Sequence, residues 1–409
     1  MDKGDTIKVH SWRKDLISPD PFRFRSGFYG LFLADIIGSY FEHSSASHRI
    51  YPDINRLKHG GNVFGIPFGY TDDTILALHS AEALLESDGL YRPLLHLLHY
   101  VRYLNDQSAW SPTGKCFDIG LTTKKSLRDP NWIGRFEDAN SGNGVLMKML
   151  PFSWHAAQAE PCDLTGQCPD FFASVAGITH GSVPSVRTAQ VYGQIQIELL
   201  RGASWEQARS HCMTEYPVAS YLDHKRAYRG FCEDSLVLAL YLMDQGYDWM
   251  AGIQKILSLG GDTDSNGAIF GQLYGLAHPD DMMSHYVPHR CDIHRADEID
   301  VLIEQLVEQY LVPHRDRRHT FQIAQDLKRG ESQARRDGQH YDLRCYDCRH
   351  YGEGCLLGYP VNQLDYFRRS KAGRIKVAQI RSDDFRRTWT TKRGRNPSRI
   401  DCPPCYVSA

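Results

Sequence analysis

The chain has 409 residues, 42% hydrophobic and 23% charged, with a formal net charge of −2; that is room for one core of about 250–300 residues and a smaller appendage. The composition is that of a globular protein and excludes disordered and fibrous classes. The opening MDKGDTIKVHSWRKDL has no apolar run of signal-peptide type, and no stretch of about 18 apolar residues occurs, so the expectation is a cytoplasmic protein without a membrane span, its eleven cysteines reduced or metal-bound.

Residues 1–24 read as an amino-terminal extension. From 25 to 312 the pattern is helical, punctuated by glycine-rich turns, with little strand-like alternation, which predicts an all-α body. Residues 75–86 form one predicted helix, stopped near Gly89. Leu236, Val237, Leu240 and Met243 share a helical face ahead of Gly246, a C′ position. Ile299, Leu302, Ile303, Leu306 and Tyr310 form a third apolar stripe. Residues 313–344 are polar and predict an exposed helix and linker. Residues 345–409 hold 13 Lys/Arg against 6 Asp/Glu, a balance of +7 that leaves −9 on the remainder. An acidic body with a basic tail points to different partners for the two regions.

Thr71-Asp72-Asp73-Thr74 stands directly ahead of the first helix. Taken alone it reads first as a cap, with Thr71 bonding the first turn and two carboxylates meeting the positive helix end. Neighbouring carboxylates and hydroxyls are also the oxygen donors that Mg²⁺ takes. A second cluster, Gly260-Gly261-Asp262-Thr263-Asp264-Ser265, precedes glycines at 267, 271 and 275. Those glycines would leave one bare helical face where another backbone can approach. Capping needs neither a pair of carboxylates flanked by hydroxyls nor a double glycine. If the two helix starts face each other, four carboxylates converge, and their repulsion calls for cations between them.

TDDT followed much later by GGDTDS resembles the signature of the ADP-ribosylglycohydrolase family, in its bacterial dinitrogenase-reductase-activating-glycohydrolase-like form. Residues 30–42, from Gly30 through Asp35 and Gly38 to Glu42, resemble the family's opening helix, which ends in an acidic residue on a flap over the site. Phe117-Asp118-Ile119-Gly120, with Thr122 and Thr123 after it, resembles a segment of the bacterial arginine-directed branch. Ser141-Gly142-Asn143-Gly144, followed by Met147, resembles the loop that holds the ADP-ribose phosphates, and Thr179-His180 resembles the family's Thr-His pair. The match covers roughly residues 25–290 in the family's order.

This resemblance implies an orthogonal all-α helical bundle with a centre of two Mg²⁺ ions (Mn²⁺ in some members). Thr71, Asp72, Asp73, Asp262, Asp264 and Ser265 would be the metal ligands. Glu42, Asp118, Gly120, Ser141, Gly142, Asn143, Gly144 and His180 would contact ADP-ribose. Without the resemblance, the Gly142-Asn143-Gly144 turn reads as a plain tight turn and His180 as a structural histidine. Two departures stand out: Ser265 replaces the commoner threonine, and Ala34 replaces the glycine usual before Asp35.

Cleaving a glycosidic bond at ribose C1″ passes through an oxocarbenium-like state, and needs a placed water and help for the leaving group. Asp72, Asp73, Asp264 and Glu42 are the candidates for moving the proton. The expected activity is Mg²⁺-dependent removal of ADP-ribose from a macromolecule, with arginine on protein first among acceptors. The alternatives are an immunity-type protein that binds ADP-ribose or blocks a transferase toxin, and a hydrolase acting on ADP-ribosylated nucleic acid.

Beyond the family's core, Cys345-x2-Cys348 and Cys402-x2-Cys405 fit a tetrahedral zinc site of four cysteines in a small basic domain. An iron–sulfur cluster that also uses Cys355, and unligated thiols, are the other readings. Basic residues interleaved with Tyr366, Phe367, Phe385 and Trp389 suit a nucleic-acid backbone or an acidic protein surface.

Overall fold

A computed structural model describes residues 18–42, 57, 65–87, 89–128, 141–158, 167–210 and 228–311. The charged segment 313–344 and the Cys-rich region, with Cys345, Cys348, Cys355, Cys402 and Cys405, lie outside the described residues.

In chain order the helices are α1 (Pro21–Glu42), α2 (Asp72–Glu86), α3 (Pro93–Leu104), α4 (Leu121–Leu127), α5 (Leu150–Ala157), α6 (Gln167–Gly177) and α7 (Val183–Leu200). They continue with α8 (Trp205–Ser210), α9 (Cys232–Asp244), α10 (Trp249–Leu259), α11 (Thr263–Ala277), α12 (Pro279–Tyr286) and α13 (Ala296–Leu311). Among the described residues no strand forms, and extended backbone pairs only in a bridge between Gly142 and Phe231. The all-α expectation holds. None of the described helices is long and apolar enough to cross a membrane.

α1 is apolar on every side: Phe24, Phe28, Leu31, Phe32, Ile36 and Ile37 are all buried. A helix of that kind belongs in the middle of a bundle. It runs antiparallel to α11, and the two touch backbone to backbone. A Cβ at Gly30 would fall 2.1 Å from the carbonyl oxygen of Gly271, and one at Gly271 would fall 2.3 Å from that of Gly30. The bare face predicted for 267, 271 and 275 therefore has α1 as its partner. Ala34 fits there because Gly267 and Gly271 face it; a Cβ on either would crowd the Ala34 Cβ, at 3.4 and 3.1 Å.

At the far end of this pair, a Cβ on Gly38 would fall 2.4 Å from Cα of Asp264, and Thr263 Oγ1 donates to the Gly38 carbonyl at 2.9 Å. The contact fixes the end of α1 against the start of α11. Around it, Trp154 of α5 stacks on Phe24 at 4.5 Å, and the buried stripe Ile299, Ile303 and Leu306 of α13 closes the bundle beside α2.

Candidate active site

α2 begins as the sequence predicts, with Thr71 as its N-cap, Oγ1 accepting from the Asp73 N–H at 3.4 Å. What anchors this helix start is Asp35, fully buried on α1. Its carboxylate accepts from the N–H and hydroxyl of Thr71 and from the N–H and hydroxyl of Thr74, at 2.6–3.1 Å. Two helices are thereby bolted together by one carboxylate. Burial lifts Asp35 to about 6, against the pull of those four donors.

α11 begins after Gly260 and Gly261, both at positive φ (71° and 82°). This double left-handed step is open to glycine at little cost, and it turns the chain so that Asp262 and Asp264 face α2. Asp262 is the N-cap but makes no capping hydrogen bond; its Oδ2 accepts from Asn143 Nδ2 at 3.0 Å instead. The two helix starts meet directly, since Ser265 Oγ donates to Asp73 Oδ2 at 3.1 Å. Glu42, at the end of α1, completes a group with Asp262 and Asp264 whose ligand atoms lie within 4.8 Å of one another.

A cavity of about 560 Å³ opens over these groups, lined by Glu42, Asp72, Asp118, Gly120, Gly142, Asn143, Gly144, His180, Asp262, Asp264 and Ser265. Thus one cleft gathers residues spread over more than two hundred positions. Thr71 and Asp73 sit a layer beneath its surface, and Ser141 faces away, its Oγ bonded to Ser182 Oγ at 2.8 Å. The Phe117–Gly120 segment delivers Asp118, held at φ 50°, to the cleft, and turns the Gly120 N–H to the Asp72 carboxylate.

The 141–147 loop departs from the expected phosphate cradle at one residue. The Asn143 N–H donates to the Gly230 carbonyl at 2.9 Å, and its side-chain amide is committed to Asp262 and Ser235. Asn143 here braces Asp262. Gly142 and Gly144 make room for His180, whose ring a Cβ at either would meet at 3.2 Å. Behind this loop lies Lys148, fully buried and invisible in the sequence as a site residue. Its Nζ donates to the Gly144 carbonyl and to Thr179 Oγ1, both at 2.8 Å. Burial draws Lys148 down to about 7, although Asp72 and Asp73 pull the other way. Arg229 and Thr122 also line the cleft; an arginine in a segment without a motif gave no sequence signal.

The donor set suits a hard divalent cation. Burial, then the neighbouring carboxylates, pushes Asp72, Asp73 and Asp264 well above the usual carboxylate range, and Asp73 Oδ1 is buried without a hydrogen-bond partner. Several carboxylates packed out of water with one oxygen unsatisfied are what a cation offsets. Asp72, Asp73, Asp262, Asp264 and the hydroxyls of Thr71 and Ser265 could hold such ions.

The chain is similar to several known proteins. Over 312 residues the chain is 28% identical to "ADP-ribosylarginine hydrolase Tri1" of Serratia proteamaculans, covering 70% of this chain and 79% of that one. It is 24% identical over 278 residues to the protein of the same name in Pseudomonas putida, with 62% and 70% covered. A "Putative ADP-ribosyl glycohydrolase L543" of Acanthamoeba polyphaga mimivirus is 25% identical over 293 residues, with 62% and 86% covered. Among solved structures, an "ADP-ribosylglycohydrolase-related protein complex" shares the fold, with a TM-score of 0.52 at 24% identity over 71% of this chain and 98% of the other. The profile of the ADP-ribosylglycohydrolase family matches residues 18–316, and the chain belongs to that family of hydrolases.

Proposed function

We propose that the protein hydrolyses the N-glycosidic bond between ribose C1″ and the guanidinium of an ADP-ribosylated arginine on a protein, using Mg²⁺ held in the cleft. The observation that carries this reading is the convergence of the α2 and α11 starts, joined through Ser265 and Asp73. The arginine acceptor draws support from the names of the two bacterial relatives.

Mg²⁺ at Thr71, Asp72, Asp73, Asp262, Asp264 and Ser265 would orient the ribose hydroxyls and raise the acidity of a water. The rest falls to the chain's own groups. Water adds its oxygen to C1″ as the C1″–N bond breaks; its proton passes to a carboxylate, and the guanidine leaves with a proton. Glu42 suits that exchange, since burial and then Asp262 and Asp118 lift it to about 7. On the other wall, the His180 ring beside Gly142 and Gly144 and the guanidinium of Arg229 suit the diphosphate. A neighbouring groove of about 440 Å³, which shares Asp118, Gly120 and Leu121 with the cleft, offers room for the target chain.

The test is release of free ADP-ribose from an arginine-ADP-ribosylated protein, with Mg²⁺ or with EDTA, beside the Asp264→Asn variant. Release that needs the metal and is lost in the variant supports the proposal. Release undiminished in EDTA refutes the metal, and release from serine-linked or nucleic-acid-linked substrates but not from arginine refutes the acceptor.

A further inference from the structure

Two turns along α2 from Asp72 lies a group of side chains that the cleft does not use. His79, Glu82 and Glu86 of α2 face His99 and Arg102 of α3. Nδ1 of His79 lies 2.9 Å from Glu82 Oε2, and Nδ1 of His99 lies 3.3 Å from the same oxygen. The ligand atoms of His79, Glu82 and His99 fall within 4.8 Å of one another, with both histidines buried and Glu82 partly open to solvent.

We infer that His79, His99 and Glu82 form a binding site for a divalent transition-metal ion, of which Zn²⁺ is the representative, clamping α2 to α3.

Three features carry this. First, the donor types are two imidazoles and one carboxylate, a set suited to such an ion. Second, the outward nitrogen of each ring is already held: His79 Nε2 by Ser108 Oγ at 2.7 Å, and His99 Nε2 by Glu86 Oε2 at 2.9 Å. Metal-binding histidines are usually held in this way, by a carboxylate or other group on the second nitrogen. Third, the spacing fits: separations of 2.9 and 3.3 Å are near the ligand-to-ligand edge, about 3.3 Å, that metal bonds of about 2.0–2.1 Å give in a tetrahedron. Water would take the fourth position on the open side of Glu82. Arg102, 3.8 Å from Glu86, offsets the remaining negative charge.

The test uses the full-length chain with Cys345, Cys348, Cys355, Cys402 and Cys405 replaced by serine, stripped with chelator and kept in excess Mg²⁺ to occupy the carboxylate cleft. Zn²⁺ is titrated by calorimetry, and bound metal is counted after gel filtration. The expected result is a Zn²⁺ equivalent whose binding raises the thermal midpoint and weakens by about a hundredfold or more in His79→Gln and His99→Gln. Co²⁺ in the same protein should give a visible spectrum of nitrogen and oxygen ligands that those variants abolish. If a histidine variant fails to fold by circular dichroism, Glu82→Gln at its partly exposed position reads the same loss. Zn²⁺ affinity and stoichiometry unchanged in the folded variants would overturn the inference, as would absence of Zn²⁺ binding in the serine-substituted chain.

Discussion

Lys148 Nζ and His180 Nδ1 meet on one hydroxyl, Thr179 Oγ1, which lies 2.8 Å from each. Lys148 donates to that hydroxyl, and the hydroxyl and the ring nitrogen are hydrogen-bonded to each other. Burial and then Lys148 keep the His180 ring neutral, and its Nε2 lies beside Gly142 and Gly144 in the cleft. Thr179→Val should leave two buried polar groups without their shared partner, at about 1–3 kcal/mol each. It should also weaken ADP-ribose binding, while Thr179→Ser restores both. Urea unfolding and calorimetric titration of ADP-ribose read the two effects, and a fully stable valine variant would remove this chain of bonds from the account.

Lys148 has a pH signature of its own. Its folded value is drawn down to about 7 from an ordinary 10.5, so between those limits the unfolded chain holds a proton that the folded chain has released. Stability contributed by this residue is therefore lowest below about 7 and rises with pH up to 10.5. Relative to Lys148→Met, the native chain should gain up to about 1.4 kcal/mol per pH unit across that window. Denaturant midpoints of both proteins at several pH values give the difference, and a flat difference counts against the burial argument.

Asp35 ties α1 to α2 through four donors on one carboxylate. Asn has a single acceptor oxygen and would turn an N–H₂ toward other donors. Asp35→Asn should cost about 2–4 kcal/mol, on the scale of hydrogen bonds to a charged group, and should depress activity by displacing Thr71, Asp72 and Asp73 without touching substrate. Activity retained at native level in a destabilised variant would show that the α2 start keeps its place without this anchor.

Gly38 and Gly275 are both closed to a methyl group, but only one lies at the cleft. A Cβ at Gly275 would strike the Ser26 carbonyl oxygen at 2.1 Å, and one at Gly38 would strike Asp264 Cα at 2.4 Å. Each alanine variant should lose about 1–3 kcal/mol from overpacking. Gly38→Ala should lose far more activity for the same stability loss, because the atom it displaces belongs to Asp264. Plotting kcat/KM against the thermal midpoint for the two variants separates these expectations.

Carboxylates must release their protons to bind a cation. With Asp72, Asp73 and Asp264 held well above the usual carboxylate range and Glu42 beside them lifted to about 7, the folded chain without metal holds protons that the unfolded chain gives up at lower pH. Their contribution to metal-free stability is therefore present at low pH and lost as pH rises through those values. Added Mg²⁺ should consequently raise the thermal midpoint little at about pH 5 and strongly at about pH 8. The same rise should disappear in Asp73→Asn. A midpoint shift independent of pH would speak against carboxylate ligation.

Much of the cleft was legible in order along the chain because its parts are local. Asp72 and Asp73 behind a threonine, and Asp262 and Asp264 behind a double glycine, are each dictated by the backbone chemistry of a helix start. The helices ahead of Gly89 and Gly246 and the apolar stripe ending at Tyr310 were readable for the same reason, since burial of one face imposes a period on neighbouring residues.

Asp35, Lys148 and Arg229 carry no such local mark. Asp35 matters because α1 crosses α2 where two threonines present four donors. Lys148 matters because the 141–147 loop folds over it and Thr179 arrives from another segment. Asn143 lies in a readable turn, yet its use was decided by Gly230 and Asp262, residues 87 and 119 positions away in the chain. Sequence by itself determined which helices form and which carboxylates sit at their starts, because capping, periodicity and turn chemistry act over a few residues. Only the tertiary structure decided which starts face each other and which buried polar groups meet, because close packing, above all of α1 on α11, sets those distances.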